Sequence, residues 1–501
     1  MNKTRNQVKD WIAQKRFIFP LLAFLLPLVI RAVPEILMGP YVIGFDTIGF
    51  YIPNSLLWLH GGLNLGDFLS TAPLFYTIYM SIVAIGGSPV YVLKIISPLL
   101  LGFLGVAMYG YAKKGLIWSS SKSVFAALLG TIYFVALRAS WDQLREELGL
   151  IFFFVTIMLM LSDLKSKSWK GYLVLSLSMM AVVMSHQLVS VLMFGVIIVT
   201  VVRNLLQKDF NESVRLIVTS LPAVLYFFIL YSRILLYSGI GYSNDVSPLT
   251  GFVSYESMMV NTGGFFLYCF LPLLPLVVVG LWKFGNLQLK SWLFVSFVLS
   301  LLPLSFVNPY RWILMLVYPF AFYATDALSG LKLSKWKNFK QIFRKTAMLY
   351  LILSTAILSV GFIFTTPEDP FFYFNVNALN SYSYQIPTSM LQNTISIADC
   401  HNVVKTLQWF KDSMNSSALL LTHRVFYGWA LLTIDRNQAV NYEFDDPVNA
   451  AMLVTREGNT QIYIIWWVNG KGWDGLSSLP QSFHEIYRSG DMALYQYSPN
   501  G

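Results

Sequence analysis

Charged residues are scarce in this chain, so the few that sit among glycines, prolines and aromatics are where chemistry has to be sought. Asp46, in GFDTIGFYIP, is one of them. An ionised carboxylate within reach of a hydroxyl can take its proton as a general base. The same residue could instead cap a helix start. A second group lies in SWDQLREELGL, where Asp142 and Glu146 are four residues apart. On one helix they share a face. Two such carboxylates can hold a divalent cation, Mg²⁺ or Mn²⁺, or pair with a cation such as Arg145. Arg311 opens an apolar run in NPYRW, and a guanidinium there can grip a phosphate in bidentate fashion or anchor its helix at the headgroups. Arg138, His186 in SHQ, Tyr51 and His60 complete the set of candidate substrate contacts. Each has a plainer reading: His186 as a structural histidine, Tyr51 as an aromatic-belt residue and His60 as a solvated loop residue. Arg31, Glu35 and Asp67 lie in the same early stretch, and Asp245 and Asn308 lie near later junctions.

The elements that must position these residues are membrane helices. Of the 501 residues 56% are hydrophobic and only 12% charged, which excludes a soluble globular domain. Apolar runs of about 17 to 22 residues recur between residues 17 and 364, each long enough to cross a hydrocarbon core. The net charge of +10 sits between those runs, where it sets topology rather than binding nucleic acid. Placing every basic loop inside gives eleven spans: 17–30, 90–111, 124–137, 148–161, 172–184, 188–202, 216–237, 265–282, 292–306, 312–328 and 348–364. Lys113 and Lys114 fall inside only if residues 73–86 form an interfacial helix rather than a span. The expected organisation is a cytoplasmic N-terminus over 1–16 and a transmembrane domain over 17–365 with an external first loop over 31–72. An external α/β domain follows over 366–501, with β-rich runs at 418–422, 461–467 and 492–497. A hairpin is expected around Ser489-Gly490-Asp491, and a helix over NVVKTLQWFKDSM. Cys269 lies in an apolar run and Cys400 in the tail, so no disulfide framework is expected within the tail. The candidate charges then collect at outer helix ends, away from cytosolic nucleotides, where a substrate activated on a lipid phosphate would be met.

The order of these features resembles the GT-C superfamily of polyprenyl-phosphate-dependent membrane glycosyltransferases, which includes protein O-mannosyltransferases and lipid A aminoarabinose transferases. An acid after the first span is matched by Asp46, and a small-Pro-Leu-aromatic segment by APLFYTIY. The basic inner pair is matched by Lys113 and Lys114, the Arg and acid at an outer helix end by Arg138 and Asp142, and the late Arg by Arg311. Asp46 is followed by Thr47 rather than a second acid, and the WWDYG motif of oligosaccharyltransferases is absent; Trp466-Trp467 reads as a buried strand end. The resemblance implies sugar transfer from a polyprenyl-phosphate donor to a protein, glycan or lipid acceptor. In it Asp46 is the base, inversion occurs at the sugar, and Arg311, Arg138 or a metal steadies the phosphate. It also implies an integral protein of a cell membrane, prokaryotic or archaeal, in contact with membrane lipids. A transporter would place charges at midplanes in related halves, which this sequence does not do; an inactive scaffold with a binding external domain is the other alternative.

Overall fold

The computed structural model describes residues 2–161, 168–237, 254–302, 309–330, 337–375, 386–442, 446–459, 461–470 and 479–499. Lys165, Lys167, Lys332, Asp245 and Asn308 lie outside them.

Helices carry the chain from Asn2–Leu37 to Lys337–Phe364, and a mixed α/β unit follows. Five helices are long and apolar enough to cross a membrane alone: Phe17–Leu37, Pro89–Gly115, Gln187–Leu206, Phe210–Tyr231 and Lys345–Phe364. Two bent pairs bring the number to seven among the described residues. Length and composition therefore do not reach the expected eleven. Leu144–Leu161 opens on Arg145, Glu146 and Glu147, while Trp169–Ser185 and Leu287–Leu301 are short.

The bends have identifiable causes. Tyr255–Phe270 and Leu274–Lys283 meet at 91°, with Pro272 between them. Pro272 has no N–H for the Tyr268 carbonyl, and the Leu273 N–H bonds Phe270 in place of Cys269. Backbone groups freed inside a membrane must find partners within the protein. Here tyrosines supply them. Tyr373 donates to the Tyr268 carbonyl at 2.5 Å, Tyr133 to Cys269 at 2.8 Å and Tyr350 to Pro272 at 3.1 Å. Tyr133 is itself the extended residue at the other bend, 59° between Ser120–Ile132 and Phe134–Asp142.

The first helix continues to Leu37, past residue 31 where a loop was expected. It stays helical through two charges because each has partners within the protein. Arg31 Nη1 donates to Glu35 at 2.9 Å and its Nε to the Ser140 carbonyl at 3.1 Å. Lys94 reaches Glu35 at 3.4 Å and the Tyr41 carbonyl at 2.6 Å. The short helix expected over 73–86 is Pro73–Ala84. A proline in its first turn suits the helix start, and Gly86, at φ 103°, lies just past its end. Phe75, Tyr76 and Tyr79 are its buried face.

The α/β unit holds a five-stranded sheet of β1 (Leu419–His423), β2 (Ala439–Tyr442), β3 (Ile462–Trp467), β4 (Phe483–Ser489) and β5 (Met492–Tyr497), ordered β2-β1-β3-β5-β4. β1 runs parallel to β2 and β3; β5 runs antiparallel to β3 and β4. β1, β3 and β5 fall on the β-rich runs of the sequence and β4 on the expected hairpin, whereas β2 lies on no expected run; Gly490 turns the β4–β5 hairpin at φ 57°. Trp466 and Trp467 end the fully buried β3. Helix Ile397–Ser413 covers most of the expected helical stretch.

Candidate active site

Asp46 opens a π-helical turn, Thr47–Tyr51, at φ −68° and ψ −20°. It does not use its side chain as a cap. Among the described residues the half-buried carboxylate has no hydrogen-bond or ion-pair partner. Its loop is nonetheless fixed. The Thr47 hydroxyl donates to the Ile43 and Gly44 carbonyls. Gly44 holds φ +97°, and a Cβ there would collide with the Trp141 carbonyl. Only glycine meets both conditions readily.

Facing this loop is a broken helix. The spacing of Asp142 and Glu146 predicts one continuous face, but Gln143, at φ −94° and ψ 50°, ends Phe134–Asp142, and Leu144–Leu161 starts anew. The two carboxylates therefore go to separate partners. Arg138 Nη1 bonds Asp142 at 2.6 Å across one helical turn. Glu146 Oε1 takes Arg311 Nη1 at 3.2 Å and faces His186 Nε2 at 3.4 Å. His186 Nδ1 accepts the Leu188 N–H at 3.2 Å, which leaves its proton on Nε2, toward Glu146. Asp142 and Glu146 thus each meet a guanidinium within one network of charges. Among the described residues no three His, Cys, Asp or Glu are grouped to hold a metal.

Arg145 differs from the other guanidiniums. Its Nη1 bonds the Thr71 carbonyl at 2.7 Å, and its guanidinium lies 5.8 Å and 5.9 Å from the Tyr51 and Tyr76 ring centres. Its Nε has no partner, and among the described residues no carboxylate pairs with it. Gln187 bonds the Ser70 carbonyl and Tyr226 that of Leu69, both at 3.1 Å, so the turn beside Arg145 is tied on three successive carbonyls. Tyr51 donates to the Asp142 carbonyl at 2.9 Å. Burial holds its hydroxyl well above the ordinary range; Arg145 opposes this, and Asp46, Tyr76 and Asp142 reinforce it. Tyr51 thus serves as a hydrogen-bond donor to the end of the broken helix.

Asp46, Asp142, Arg145, Glu146 and Arg311 act on one another electrostatically and form one cluster. Arg138, His186 and Tyr51 join it by the bonds above. His60 does not: it is exposed at the end of helix Ile52–Gly61, and Asp67 is exposed in Leu65–Ser70. Sequence reasoning places Glu147 among the outer-junction charges but passed over Lys94, Gly44 and Trp141. The lone Lys94 within the apolar run 90–111 was a readable signal. Gly44 and Trp141 carry no chemistry of their own and gave none.

No family model matches this sequence, and no curated protein matches it. Solved structures do. The crystal structure of ArnT from Cupriavidus metallidurans bound to undecaprenyl phosphate aligns at TM-score 0.50 and 11% identity, over 98% of each chain. The cryo-EM structure of the arabinofuranosyltransferase AftD from Mycobacteria aligns at TM-score 0.50 and 12% identity. That alignment covers 98% of this chain and 40% of AftD. The chain has the GT-C fold of polytopic membrane proteins, as the sequence resemblance implied.

Proposed function

We infer that this protein is a membrane glycosyltransferase that moves a sugar from a polyprenyl phosphate to an acceptor hydroxyl on the non-cytoplasmic face. The observation that carries this is a carboxylate and a guanidinium of one cluster, Asp46 and Arg145, that act on each other without a direct ion pair. Asp46 has no cationic partner and Arg145 no carboxylate among the described residues, while Asp142 and Glu146 are each matched by a guanidinium. A half-buried cation with no carboxylate in direct contact leaves room for a ligand that supplies a counter-charge. A lipid phosphate supplies it, and a hydroxyl beside Asp46 supplies the proton.

Asp46 takes the proton from the acceptor hydroxyl. The oxygen attacks the anomeric carbon, the bond from that carbon to the phosphate oxygen breaks, and the phosphate leaves with the electron pair. One in-line displacement inverts the sugar. Arg145, with Arg311 and Arg138 behind it, meets the charge that grows on the phosphate. Their orientation is fixed beforehand by Asp142, Glu146 and the Thr71 carbonyl. The acceptor is a hydroxyl of a protein, a glycan or a lipid. The shared fold with ArnT, solved with undecaprenyl phosphate, supports a polyprenyl carrier. The basic inner loops of the sequence support the external placement. The test is purified full-length protein in lipid nanodiscs, given polyprenyl-phosphate sugars and hydroxyl acceptors. Inverted product with release of the lipid phosphate is expected. Retention at the anomeric carbon contradicts the single displacement.

A further inference from the structure

Between the last membrane helix and the sheet runs a segment, residues 389–396, that is almost wholly buried yet rich in polar side chains. At one end the Ser389 hydroxyl donates to the Thr365 carbonyl, and the Met390 N–H bonds Phe362 at 2.9 Å. At the other, the Thr394 hydroxyl donates to the Val425 carbonyl at 2.6 Å and accepts the Trp429 indole N–H at 3.2 Å. The middle of the segment touches the candidate active site. A single carbonyl, that of Gln392, accepts both the Gly44 N–H at 3.1 Å and the Trp141 indole N–H at 3.0 Å. Trp141 also donates to the Met390 carbonyl at 3.2 Å. Asn393 Nδ2 donates to the Val42 carbonyl at 2.9 Å, while its Oδ1 accepts the Ile395 N–H at 3.1 Å.

Gly44 is two residues before Asp46, and Trp141 is one residue before Asp142. One carbonyl of the C-terminal unit therefore sets the spacing between the Asp46 loop and the helix that carries Arg138 and Asp142. Helix Arg424–Thr433 closes the same loop from the other side. Gly428 lies so near the Ile48 carbonyl that a Cβ would collide with it.

We propose that residues 389–396 are a positioning strap. Through the Gln392 carbonyl and the Asn393 amide, the C-terminal unit holds Asp46 at the distance from the Arg138–Asp142 helix that transfer requires. This rests on Asp46 being the base. The strap acts through Asp46 and Asp142 and touches no substrate, so its loss moves the chemical step rather than donor affinity.

Two variants of the full-length protein test it. Asn393→Asp keeps the oxygen that accepts from Ile395 and removes the N–H given to Val42. Trp141→Phe removes the indole N–H and keeps an aromatic ring. In each, kcat is expected to fall roughly 10- to 100-fold, the cost of a small misplacement far from the chemistry. Donor KM should stay within about two-fold, because a uniform-binding loss would raise KM instead. Backbone amides over residues 42–48 should exchange faster with deuterium. Asn393→Gln, which keeps the donor, should recover part of the rate. Wild-type kcat in both variants, or unchanged exchange over 42–48, overturns the strap. If Asp46→Asn transfers at the wild-type rate while Asn393→Asp still speeds exchange, the base assignment fails instead, and the two outcomes are told apart.

Discussion

Asp46 and Arg145 stand out at the scale of single residues because neither makes a direct ion pair, while three nearby guanidiniums do. Arg31 is completed by Glu35 and Ser140, Arg138 by Asp142, and Arg311 by Glu146. Truncating one partner of such a buried pair leaves an unmatched charge, so those variants report on folding as much as on chemistry. Arg145 is the cleaner probe of phosphate binding. Its guanidinium bonds Thr71 and sits against two tyrosine rings, a geometry that an ammonium does not reproduce. Arg145→Lys should weaken donor binding by roughly 10- to 100-fold, the worth of one lost charge-assisted hydrogen bond of about 1.5–3 kcal/mol. Steady-state kinetics over a donor titration would register this as a raised KM. A KM unchanged in Arg145→Lys would assign the phosphate to other groups. Asp46 and the Arg138–Asp142 pair were legible in sequence, since a charge in apolar surroundings announces itself. Glu146, Arg311 and His186 were each legible as candidates, but their meeting was not, because they arrive from distant helices.

Breaks, more than the helices themselves, shape the site at the scale of elements. The sequence period through 141–147 predicts one helix, and the structure ends it at Gln143. Asp142 pairs with Arg138 one turn back in its own helix, and beyond the break Glu146 meets Arg311. Propensity does not foretell the break, since Gln is a good helix former. The tertiary partners of Trp141 and Tyr51 hold the end of the helix in place. The 91° bend was foreseeable at Pro272, but the tyrosines that satisfy its carbonyls were not. Gly44 tests the packing of the Asp46 loop directly. Gly44→Ala meets both a left-handed φ and the Trp141 carbonyl. It should cost about 1–3 kcal/mol of local stability and abolish most transfer. Thermal unfolding in detergent and a transfer assay would check both; a fully active, equally stable variant would contradict this placement of the loop.

The whole molecule is two kinds of structure joined at one seam. Hydropathy announced the helical part and β-rich runs announced four of the five strands, because both signals are local. The seam between them, residues 389–396 against Val42–Gly44 and Trp141, has no local signature. It pairs residues hundreds of positions apart, which a single sequence cannot record. Cys400 reports on whether that seam is closed. It is buried beside Asn393, and burial is the main reason its thiol is pushed up to about 12; Asn393 opposes the rise and Asp399 adds to it. Little thiolate then forms near neutral pH, and only the thiolate reacts. Intact protein should resist maleimide at pH 7 to 8 and label at Cys400 only after unfolding. Rapid labelling of the folded protein, read by intact mass and peptide mapping, would show that the seam opens.

The central claim is that Asp46 is the base of a sugar transfer, and one comparison tests it most directly. Wild-type and Asp46→Asn proteins, matched in thermal stability and in retained polyprenyl phosphate, are given the same donor in a single-turnover transfer assay. Asn is close in size to Asp but cannot accept the acceptor proton. The account predicts undiminished donor binding with transfer reduced by roughly 10²- to 10⁴-fold, the usual contribution of a general base. Transfer at the wild-type rate by Asp46→Asn would contradict it.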